Sequence, residues 1–584
     1  MSVLPDIVAR SHDGWEKLPE TWPDSLRKIM AARGITDVEQ LYFELADLPR
    51  PEQLLGMQAA VELLATALKE QWKVTIVADF DSDGATSCAL AIRGLQSMGL
   101  KQVHYIVPNR FIHGYGLTPA LLDDIPELEQ PDLLVTVDNG IASISGVRAA
   151  HQRGMKVLVT DHHLAGEALP EADAIVNPNQ ADDPFPYKNL AGVGVCFYVL
   201  LGLRQYLRKV GWFEEVSLPE PKVGDWLDLV ALGTVADVVP LDKLNRTLVN
   251  HGLQRIRRGR GCTGIQALIQ IAGREREKLV SSDLGFSIAP RLNAAGRMED
   301  MGLGINLLLT ENNQQALNIA TQLDSINLER RAVEQTMQVD ALKMLEQIDI
   351  EENTLRTGYC LFDEDWHQGV IGLLASRIKE KTYRPVIAFA PGNDDEVKGS
   401  ARSIPGIHIR DVLARVAAKH PELLERFGGH AMAAGLTIKK GDLARFNQAF
   451  ESTLNEMVSS ETYLQQLPSD GELSEADCQL SFAELLTEAA PWGQGFEEPR
   501  FHGVFKVSHF RLVGQQQNHL RLQLEMNGYR QINAMAFGQD KPSWLAENSL
   551  VLVRYKIAVN EFRGQKSLQF LVDELMPANT DTHN

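Results

Sequence analysis

The N-terminal part of the chain shows a helical pattern of apolar residues. They recur at helical spacing from Pro23 to Arg33 and from Gln53 to Gln71, and Pro49-Arg50-Pro51 separates the two stretches. This pattern predicts a helical segment over residues 1–70. No chemistry-bearing motif occurs in it, so we expect it to have a structural role only.

From Lys73 onward, short apolar runs alternate with helical stretches, which is typical of a parallel sheet with crossover helices. The predicted strands are Val74–Ala78, Val103–Val107, Leu133–Val137, Val157–Thr160 and Ala174–Val176. A helix from Gly224 to Ala236 follows them. The pattern therefore predicts an α/β domain with a parallel sheet over residues 71–310.

A long helix is predicted next. Residues 311–345 contain neither Gly nor Pro and are rich in helix formers, which corresponds to a rod of about 50 Å. A coiled coil is less favoured because the apolar spacing lacks a sustained heptad. We assign residues 311–350 to this connecting helix, and residues 351–462 to a second α/β domain with strands at Gly358–Phe362 and Val386–Ala390.

The C-terminal part changes to short strands after Pro491–Phe496. The predicted strands are Gly503–Val513, Leu520–Glu525, Gln531–Phe537, Leu550–Val559 and Lys566–Val572. Five strands separated by Gly or Asn turns predict a small β-barrel of the OB type over residues 463–577, with a polar, disordered tail at 578–584.

Composition limits the class of protein. The chain has 584 residues, of which 44% are apolar and 23% are charged, so we expect several domains. We also expect a cytoplasmic protein, because no apolar run reaches membrane length and the N-terminal residues do not show the pattern of a signal sequence. The five dispersed cysteines argue against both a disulfide framework and a thiolate zinc site. A net charge of −20 counts against a generic nucleic-acid coat protein, but allows a channel with local positive charge and bound metals.

Acidic residues and histidines follow the predicted strands at their carboxyl ends. They are Asp79, Asp81 and Asp83 after the first strand, Asp138 after the third, Asp161-His162-His163 after the fourth, and Asp237 after the later helix. Each alone is more often a turn or cap residue, but the carboxyl ends of strands in an open α/β sheet face one crevice. Neighbouring aspartates repel one another unless a cation lies among them. Carboxylates with imidazoles and no thiolate suit Mn²⁺, with Mg²⁺ as the alternative, and two such ions promote phosphoester hydrolysis.

In order along the chain, Asp79-Phe80-Asp81-Ser82-Asp83-Gly84, Val137-Asp138-Asn139-Gly140, Asp161-His162-His163 and Ala231–Asp237 resemble the successive motifs of the DHH phosphoesterase superfamily. The resemblance runs from about residue 70 to the C-terminus, and no metal ligand is missing. It implies a DHH metal-binding catalytic domain joined by the long helix to a DHH-associated nucleic-acid-binding domain. In detail, the sequence is similar to bacterial members that degrade single-stranded DNA from its 5′ end.

The residues and the resemblance together assign roles in a two-ion centre. The candidate catalytic residues are Asp81, Asp83, Asp138, His162 and His163. The candidate metal ligands are Asp79, Asp81, Asp83, Asp138, His162 and Asp237. Asp138 is the expected bridging carboxylate, Asp79 and His163 are either ligands or contacts of the substrate phosphate, and Asp161 is expected to orient its neighbours.

Candidate nucleic-acid-binding residues lie outside this centre. Arg110 occupies a Gly-containing loop, and Arg291, Asn293 and Arg297 belong to the Ser287–Arg297 stretch, for which a solvated loop is the alternative. By resemblance, Ser400, Arg402 and His430 would hold the DNA end or backbone. Basic and aromatic residues interleave in the barrel, as a stacking surface for single strands requires, with a solvated face as the alternative: Lys506, His509, Phe510, Arg511, His519, Arg521, Tyr529 and Arg530.

The resemblance implies a single-stranded-DNA-specific exonuclease of 5′ to 3′ polarity that uses two metal ions, releases nucleotides and acts in DNA recombination and repair. It also implies a single-strand-binding protein and a RecQ-type helicase as partners. Two alternatives stay open. One is a DHH-type phosphodiesterase for oligonucleotides or cyclic dinucleotides, and the other is a non-catalytic scaffold that binds single strands.

Overall fold

The computed structural model of the protein describes residues 5–109, 112–166, 168–352, 356–393, 395–514, 517–528 and 530–578. Arg110, Tyr529 and the predicted tail from residue 579 lie outside these ranges. One compact unit comprises Ala9–Asp324 together with the chain from Pro468 onward, and the other comprises Ser325–Leu467 with the first residues through Val8. Within the described ranges, every helix is too short or too polar to cross a lipid bilayer.

A parallel sheet forms the centre of the first unit. It is preceded by β1 (Asp6–Ala9), α1 (Asp24–Ala31) and α2 (Met57–Glu70). Its strands are β2 (Val74–Ala78), β3 (Val103–Ile106), β4 (Leu133–Val137), β5 (Lys156–Thr160) and β6 (Ala174–Val176). They pair in the order β3-β2-β4-β5-β6, all parallel. Every residue of β2 and β4 is buried, as expected for strands covered on both faces.

Helices surround this sheet and follow it along the chain. They are α3 (Ser82–Ser97), α4 (Pro119–Asp123), α5 (Ile144–Gln152), α6 (Gly192–Lys209), α7 (Trp212–Glu215), α8 (Leu227–Ala236), α9 (Lys243–Arg257), α10 (Thr263–Ile271), α11 (Ser281–Asp283), α12 (Ala289–Met298) and α13 (Gly302–Leu309). The long helix α14 (Asn313–Glu352) comes next and has 40 residues, close to the predicted rod.

The register of the sheet brings the motif residues together. Ala78 lies opposite Val137, and Val137 lies opposite Thr160, so Asp79, Asp138 and Asp161 each follow the last residue of neighbouring strands. The chain passes from β2 to β3 on one side and to β4 on the other, which places a topological switch point between β2 and β4. Ligands of open α/β sheets bind at such a point.

The second unit contains a mixed sheet. Its elements are β7 (Tyr359–Phe362), α15 (Ile371–Thr382), β8 (Val386–Pro391), β9 (Glu396–Arg402), α16 (Ile409–Lys419), β10 (Arg426–Gly429), β11 (Ala433–Lys439) and α17 (Leu443–Met457). The strand order is β10-β11-β9-β8-β7, and only the β7–β8 pair is parallel among these strands. Sequence analysis identified β7 and β8 but not the other three, because small residues such as Gly399 and Ala401 occupy the buried positions of β9.

A closed barrel ends the chain. After β12 (Gln466–Ser469) and α18 (Leu480–Ala489), its strands are β13 (Phe501–Val513), β14 (His519–Met526), β15 (Arg530–Ala536), β16 (Leu550–Phe562) and β17 (Gln565–Pro577). They close in the order β13-β14-β15-β17-β16, with β15 and β17 parallel. The predicted fold class, two α/β domains joined by a long helix and an OB-type barrel, is confirmed. One continuous apolar core extends from the first sheet into the barrel.

A buried ion pair connects the N-terminal helical segment to the residue that follows β12. Arg33 donates from Nη1 to Asp470 Oδ1 at 2.7 Å and from Nη2 to Oδ2 at 3.1 Å, and its guanidinium lies over the ring of Trp492. The two side chains are 1% and 2% exposed. The pair therefore gives the N-terminal segment a structural function.

Replacing Arg33 by Ala leaves the Asp470 carboxylate buried without its cation. Breaking such a pair costs about 3 kcal/mol or more, so we expect amide hydrogen exchange in α1 to accelerate by roughly 100-fold. Arg445→Ala is the matched control, because Arg445 forms an exposed pair with Glu422, and such pairs contribute under about 1 kcal/mol. Exchange in α1 that matches the control variant would contradict the role assigned to Arg33.

Candidate active site

The first motif forms the turn between β2 and α3. Asp79 follows the last residue of β2 and is buried, and its Oδ1 accepts a hydrogen bond from the N–H of Phe80 at 2.7 Å. Asp81 is the N-cap of α3, since its Oδ1 accepts from the N–H groups of Asp83 and Gly84 at 2.9 and 3.1 Å. The cap holds the loop in one conformation and leaves Asp81 partly exposed.

Asp83 is held by the N-terminus of another helix. Its carboxylate accepts from the N–H of Gly192 at 2.6 Å and of Val193 at 2.9 Å, at the start of α6. Burial and the charge of Asp81 raise the pKa of Asp83 to about 7, although the two N–H groups oppose the shift. A Cβ on Gly192 would lie 2.5 Å from the Cβ of Asp138, so only glycine allows α6 to approach so closely.

Asp138 stands at the carboxyl end of β4. Its N–H still donates to Thr160 in the neighbouring strand at 3.1 Å, but its φ of 61° bends the chain out of the sheet. The side chain is buried, and its Oδ1 accepts no hydrogen bond from the described residues. Burial and the charges of Asp83, Asp81 and Asp79 raise its pKa well above the ordinary value.

The Asp161-His162-His163 motif follows β5. Asp161 is buried, and its Oδ1 accepts from the N–H of His162 at 2.7 Å and lies 2.8 Å from Nδ1 of His163. Burial alone would raise the pKa of Asp161, but the hydrogen bond and charge of His163 outweigh it and lower that pKa. Burial alone would lower the pKa of His163. The hydrogen bond and the charge of Asp161 outweigh burial and raise this pKa to about 9. This contact supports the orienting role expected of Asp161, which stays a prediction.

His162 connects two carboxylates from different parts of the chain. Its Nε2 lies 3.2 Å from Asp138 Oδ1 and 3.4 Å from Asp237 Oδ2. Asp237 follows α8 as its C-cap residue, and burial and the charge of Asp83 raise its pKa well above the ordinary value. Its Oδ2 also accepts no hydrogen bond from the described residues.

These side chains form overlapping clusters that could each hold a cation. The clusters are Asp79-Asp81-Asp138, Asp83-His162-Asp237 and Asp138-His162-His163, and within each the ligand atoms lie within 4.8 Å of one another. Asp138 and His162 each belong to two clusters. Asp138 Oδ1 and Asp237 Oδ2 accept no hydrogen bond from the described residues, and burial and the neighbouring carboxylates raise the pKa values of both groups, which fits divalent cations with oxygen and imidazole ligands.

The Ser287–Arg297 stretch is not a solvated loop. A π-helical turn, Leu284–Ile288, leads into α12. Asn293 Oδ1 accepts from both the N–H and the Oγ of Ser82 at 2.8 Å, which fixes the first motif from behind. Periodicity missed this helix because its buried face consists largely of Ala and Gly. A nucleic-acid contact of Asn293 stays a prediction.

Arg291 and Arg297 also lie on this helix and are half-buried. Arg291 donates from Nε to Asp324 Oδ1 at 2.8 Å, so its charge is already paired. Gly296 lies against the first motif, where a Cβ would be 1.8 Å from the carbonyl oxygen of Phe80. The helix thus packs directly against the first motif, which carries Asp79, Asp81 and Asp83. DNA contacts of Arg291 and Arg297 stay predictions.

In the second unit, Ser400 and Arg402 project from the same face of β9. Arg402 Nη1 lies 3.0 Å from Ser400 Oγ, and burial lowers the pKa of the guanidinium. Among the described residues it has no carboxylate partner, which suits a guanidinium that binds phosphate. His430 lies in the β10–β11 turn and donates its N–H to Ala433 at 2.8 Å.

The barrel carries two exposed arginines opposite one another. Arg511 on β13 and Arg521 on β14 are partners in the antiparallel ladder, and both are exposed. Like charges at such positions are destabilising unless an anion lies between them. The pairing is therefore consistent with a phosphate-binding face.

Tyr115 was not predicted from the sequence as a site residue, but the structure places it beside the candidate ligands Asp138 and His163. Its hydroxyl donates to the carbonyl oxygen of Asp138 at 3.2 Å and lies 3.4 Å from the His163 ring. Tyr115 lies between Gly114 and Gly116, and this small-residue context was the only signal in the sequence. Spacing alone does not reveal that the side chain returns to β4.

Comparisons with known proteins agree with this architecture. The model of the DHH family, N-terminal domain, matches residues 73–234, that of the DHHA1 domain matches 355–456, and that of the RecJ OB domain matches 469–574. The single-stranded-DNA-specific exonuclease RecJ of Dickeya dadantii is 48% identical over 96% of this chain and 97% of its own length. That of Escherichia coli K12 is 45% identical over 97% of this chain and 98% of its own length.

A solved structure gives the same result. The crystal structure of RecJ in complex with Mn²⁺ from Thermus thermophilus superposes with a TM-score of 0.77 at 28% identity, covering 98% of this chain and 79% of that one. The family models, the full-length relatives and this superposition show that the chain belongs to the RecJ family of DHH proteins.

Proposed function

We propose that this protein is an exonuclease specific for single-stranded DNA that hydrolyses phosphodiester bonds with two divalent metal ions. The observation that carries the proposal is the convergence of Asp79, Asp81, Asp138, His162 and Asp237 at the switch point of the sheet, in a chain of the RecJ family. The Mn²⁺ in the Thermus structure and the ligand types here favour Mn²⁺ or Mg²⁺.

The clusters suggest how the ligands are divided. Asp79, Asp81 and Asp138 would hold one ion. His162 and Asp237 would hold the other, with Asp138 as the shared carboxylate, because Asp138 Oδ1 lies 3.2 Å from His162 Nε2. Asp83 forms a cluster with His162 and Asp237, although its oxygens already accept two backbone hydrogen bonds. When bound, two such ions activate a water molecule and neutralise charge on the phosphoryl oxygens.

The side chains around the ions would position the substrate. In the metal-free protein Asp161 raises the pKa of His163 to about 9 and lies 2.8 Å from its Nδ1, which would leave Nε2 to donate to a phosphate oxygen. The hydroxyl of Tyr115 lies 3.4 Å from both nitrogens of this ring. Asn293 and the α3 cap keep the first motif rigid, which limits the reorganisation needed when substrate binds.

The finer features rest on the resemblance and are part of the proposal. They are 5′ to 3′ polarity, release of nucleotides, the domain boundaries given above and a role in recombination and repair in the cytoplasm. Ser400, Arg402 and His430 would bind the DNA end or backbone. A single-strand-binding protein and a RecQ-type helicase would supply the substrate.

The proposed activity is tested on single-stranded DNA blocked at one end at a time. We expect a 3′ block to leave degradation unchanged and a 5′ block to stop it, with Mn²⁺ or Mg²⁺ required. Asp138→Asn should lower the rate roughly 10³-fold while strand binding is kept, because it removes the shared carboxylate. Asp182→Asn, an exposed position with a φ of 62° that Asn tolerates, is the control. Turnover by Asp138→Asn near that of the control would reject the two-ion centre.

Metal affinity should rise with pH. The pKa of Asp83 is about 7, so Asp83 carries a proton below about pH 7 in the metal-free protein, and the raised pKa values of Asp138 and Asp237 act in the same direction. A cation must displace such protons, so the Mn²⁺ dissociation constant should fall about tenfold per pH unit for each proton displaced. Calorimetry in buffers of different ionisation enthalpy measures both the Mn²⁺ dissociation constant and the number of protons displaced. An affinity independent of pH would contradict the assignment.

Stability gives an independent check of the same pKa shift. Because the pKa of Asp83 is raised in the folded state, the folded protein binds more protons than the unfolded one between about pH 4 and pH 7. The metal-free protein should therefore lose stability as pH rises through this range. Added Mn²⁺ should remove the loss, which thermal unfolding measures.

The arginine pair of the barrel is tested by substitution, since the barrel shares its core with the first sheet and deletion would expose that core. Replacing Arg511 and Arg521 by Ala should reduce the slope of log affinity against log salt for single-stranded DNA by about 1.4, as for two lost phosphate contacts. Arg208→Ala, which removes an exposed arginine of α6, should leave the slope unchanged. An unchanged slope in the double variant would assign Arg511 and Arg521 to the solvated surface.

A further inference from the structure

Phe286 is an exposed aromatic side chain on an unusual backbone. It is 80% exposed and lies in the middle of the π-helical turn Leu284–Ile288. Single π-turns inside helices occur frequently at functional sites. The helix that follows this turn supports the first metal motif through Asn293, so the turn is not a remote surface feature.

Phe286 borders a cavity of about 770 Å³. Val235, Ala236 and Val238 line the same cavity, and Asp237 lies between them in the chain. Val238 is 61% exposed and has a φ of 62°, a conformation that β-branched residues rarely adopt. Strain of this kind persists where the surrounding structure imposes it, commonly at ligand sites.

The charges around the cavity balance one another. Its lining includes the cationic residues Arg257, Arg500 and Lys556 and the acidic residues Glu488, Glu497 and Glu498. Lys556 is paired with Glu498 at 2.7 Å, and Arg500 is paired with Asp573. Such a lining gives no net attraction for a phosphate. It suits a flat, uncharged group that has an apolar face and a polar edge.

We propose that Phe286 and Val238 form an apolar platform on which a nucleobase of the substrate strand stacks beside the metal centre. The inference deepens the proposed function and rests on it. A nucleobase is the part of a single strand with an uncharged ring face, and aromatic side chains hold such bases irrespective of sequence. The cavity volume lies within the usual range for small-molecule sites, and the side chains of Asn250 and Gln254 in its lining can hydrogen-bond to a base edge.

The platform is tested with substrates that lack one base. Short single strands, each with one abasic site among roughly the first eight nucleotides, are compared with the intact strand in single-turnover cleavage. We expect the unsubstituted protein to lose at least about fivefold in affinity at the position that contacts the platform, the lower limit for one base–aromatic stack. Phe286→Ala should lose the same factor on the intact strand and become insensitive to that abasic site. Phe286→Trp should restore the sensitivity.

Tyr42→Ala is the matched control, because it removes an exposed aromatic ring that does not line the cavity. Since Phe286 is largely exposed, its substitution should leave the unfolding temperature unchanged, which separates a binding effect from misfolding. An equal loss by Phe286→Ala on intact and abasic strands would overturn the platform while leaving the proposed function standing. Failure of the unsubstituted protein to cleave the intact strand would overturn both.

Discussion

Mutual repulsion among buried carboxylates is the constraint around which the first unit is organised. Asp83 and Asp138 are buried near other acidic groups, and burial first and the neighbouring carboxylates second raise the pKa values of both side chains. A fold that evolved only for stability would not retain such a group. The parallel sheet keeps these carboxylates close together, because its rigid strand ends hold the ligands in place before any ion binds.

The elements around the cluster hold it from several sides. The N-terminus of α6 donates to Asp83, the cap of α3 fixes Asp81, and Asp161 orients His163. Close approach is possible because glycines stand where helices meet the motifs, as Gly192 does against Asp138 and Gly296 against Phe80. Each support comes from a different part of the chain, so the site depends on the tertiary fold as a whole.

The barrel belongs to the same compact unit as the metal cluster, with which it shares a continuous core. The Phe286 cavity is lined by Val238, which follows Asp237 in the chain, and by Trp492 in the segment that leads into the barrel. The proposed strand binding on the barrel and the proposed hydrolysis at the sheet would therefore be coupled by packing within one unit. Arg511 and Arg521 lie opposite one another in the barrel, and a bound phosphate would relieve the repulsion between their charges.

The sequence by itself determined the strands of the first sheet to within one residue, the long helix, the barrel strands and the acidic motifs. These features depend on local periodicity and on residues that follow one another directly. The tertiary structure alone decided that Asn293 supports Ser82, that Tyr115 returns to Asp138, that Arg511 faces Arg521, and that Phe286 lies exposed at the edge of a cavity. Strands such as β9 also escaped sequence analysis, because small residues fill its buried positions. The physical reason is that contacts between distant residues depend on strand register and helix packing, which the whole core sets and no local pattern encodes.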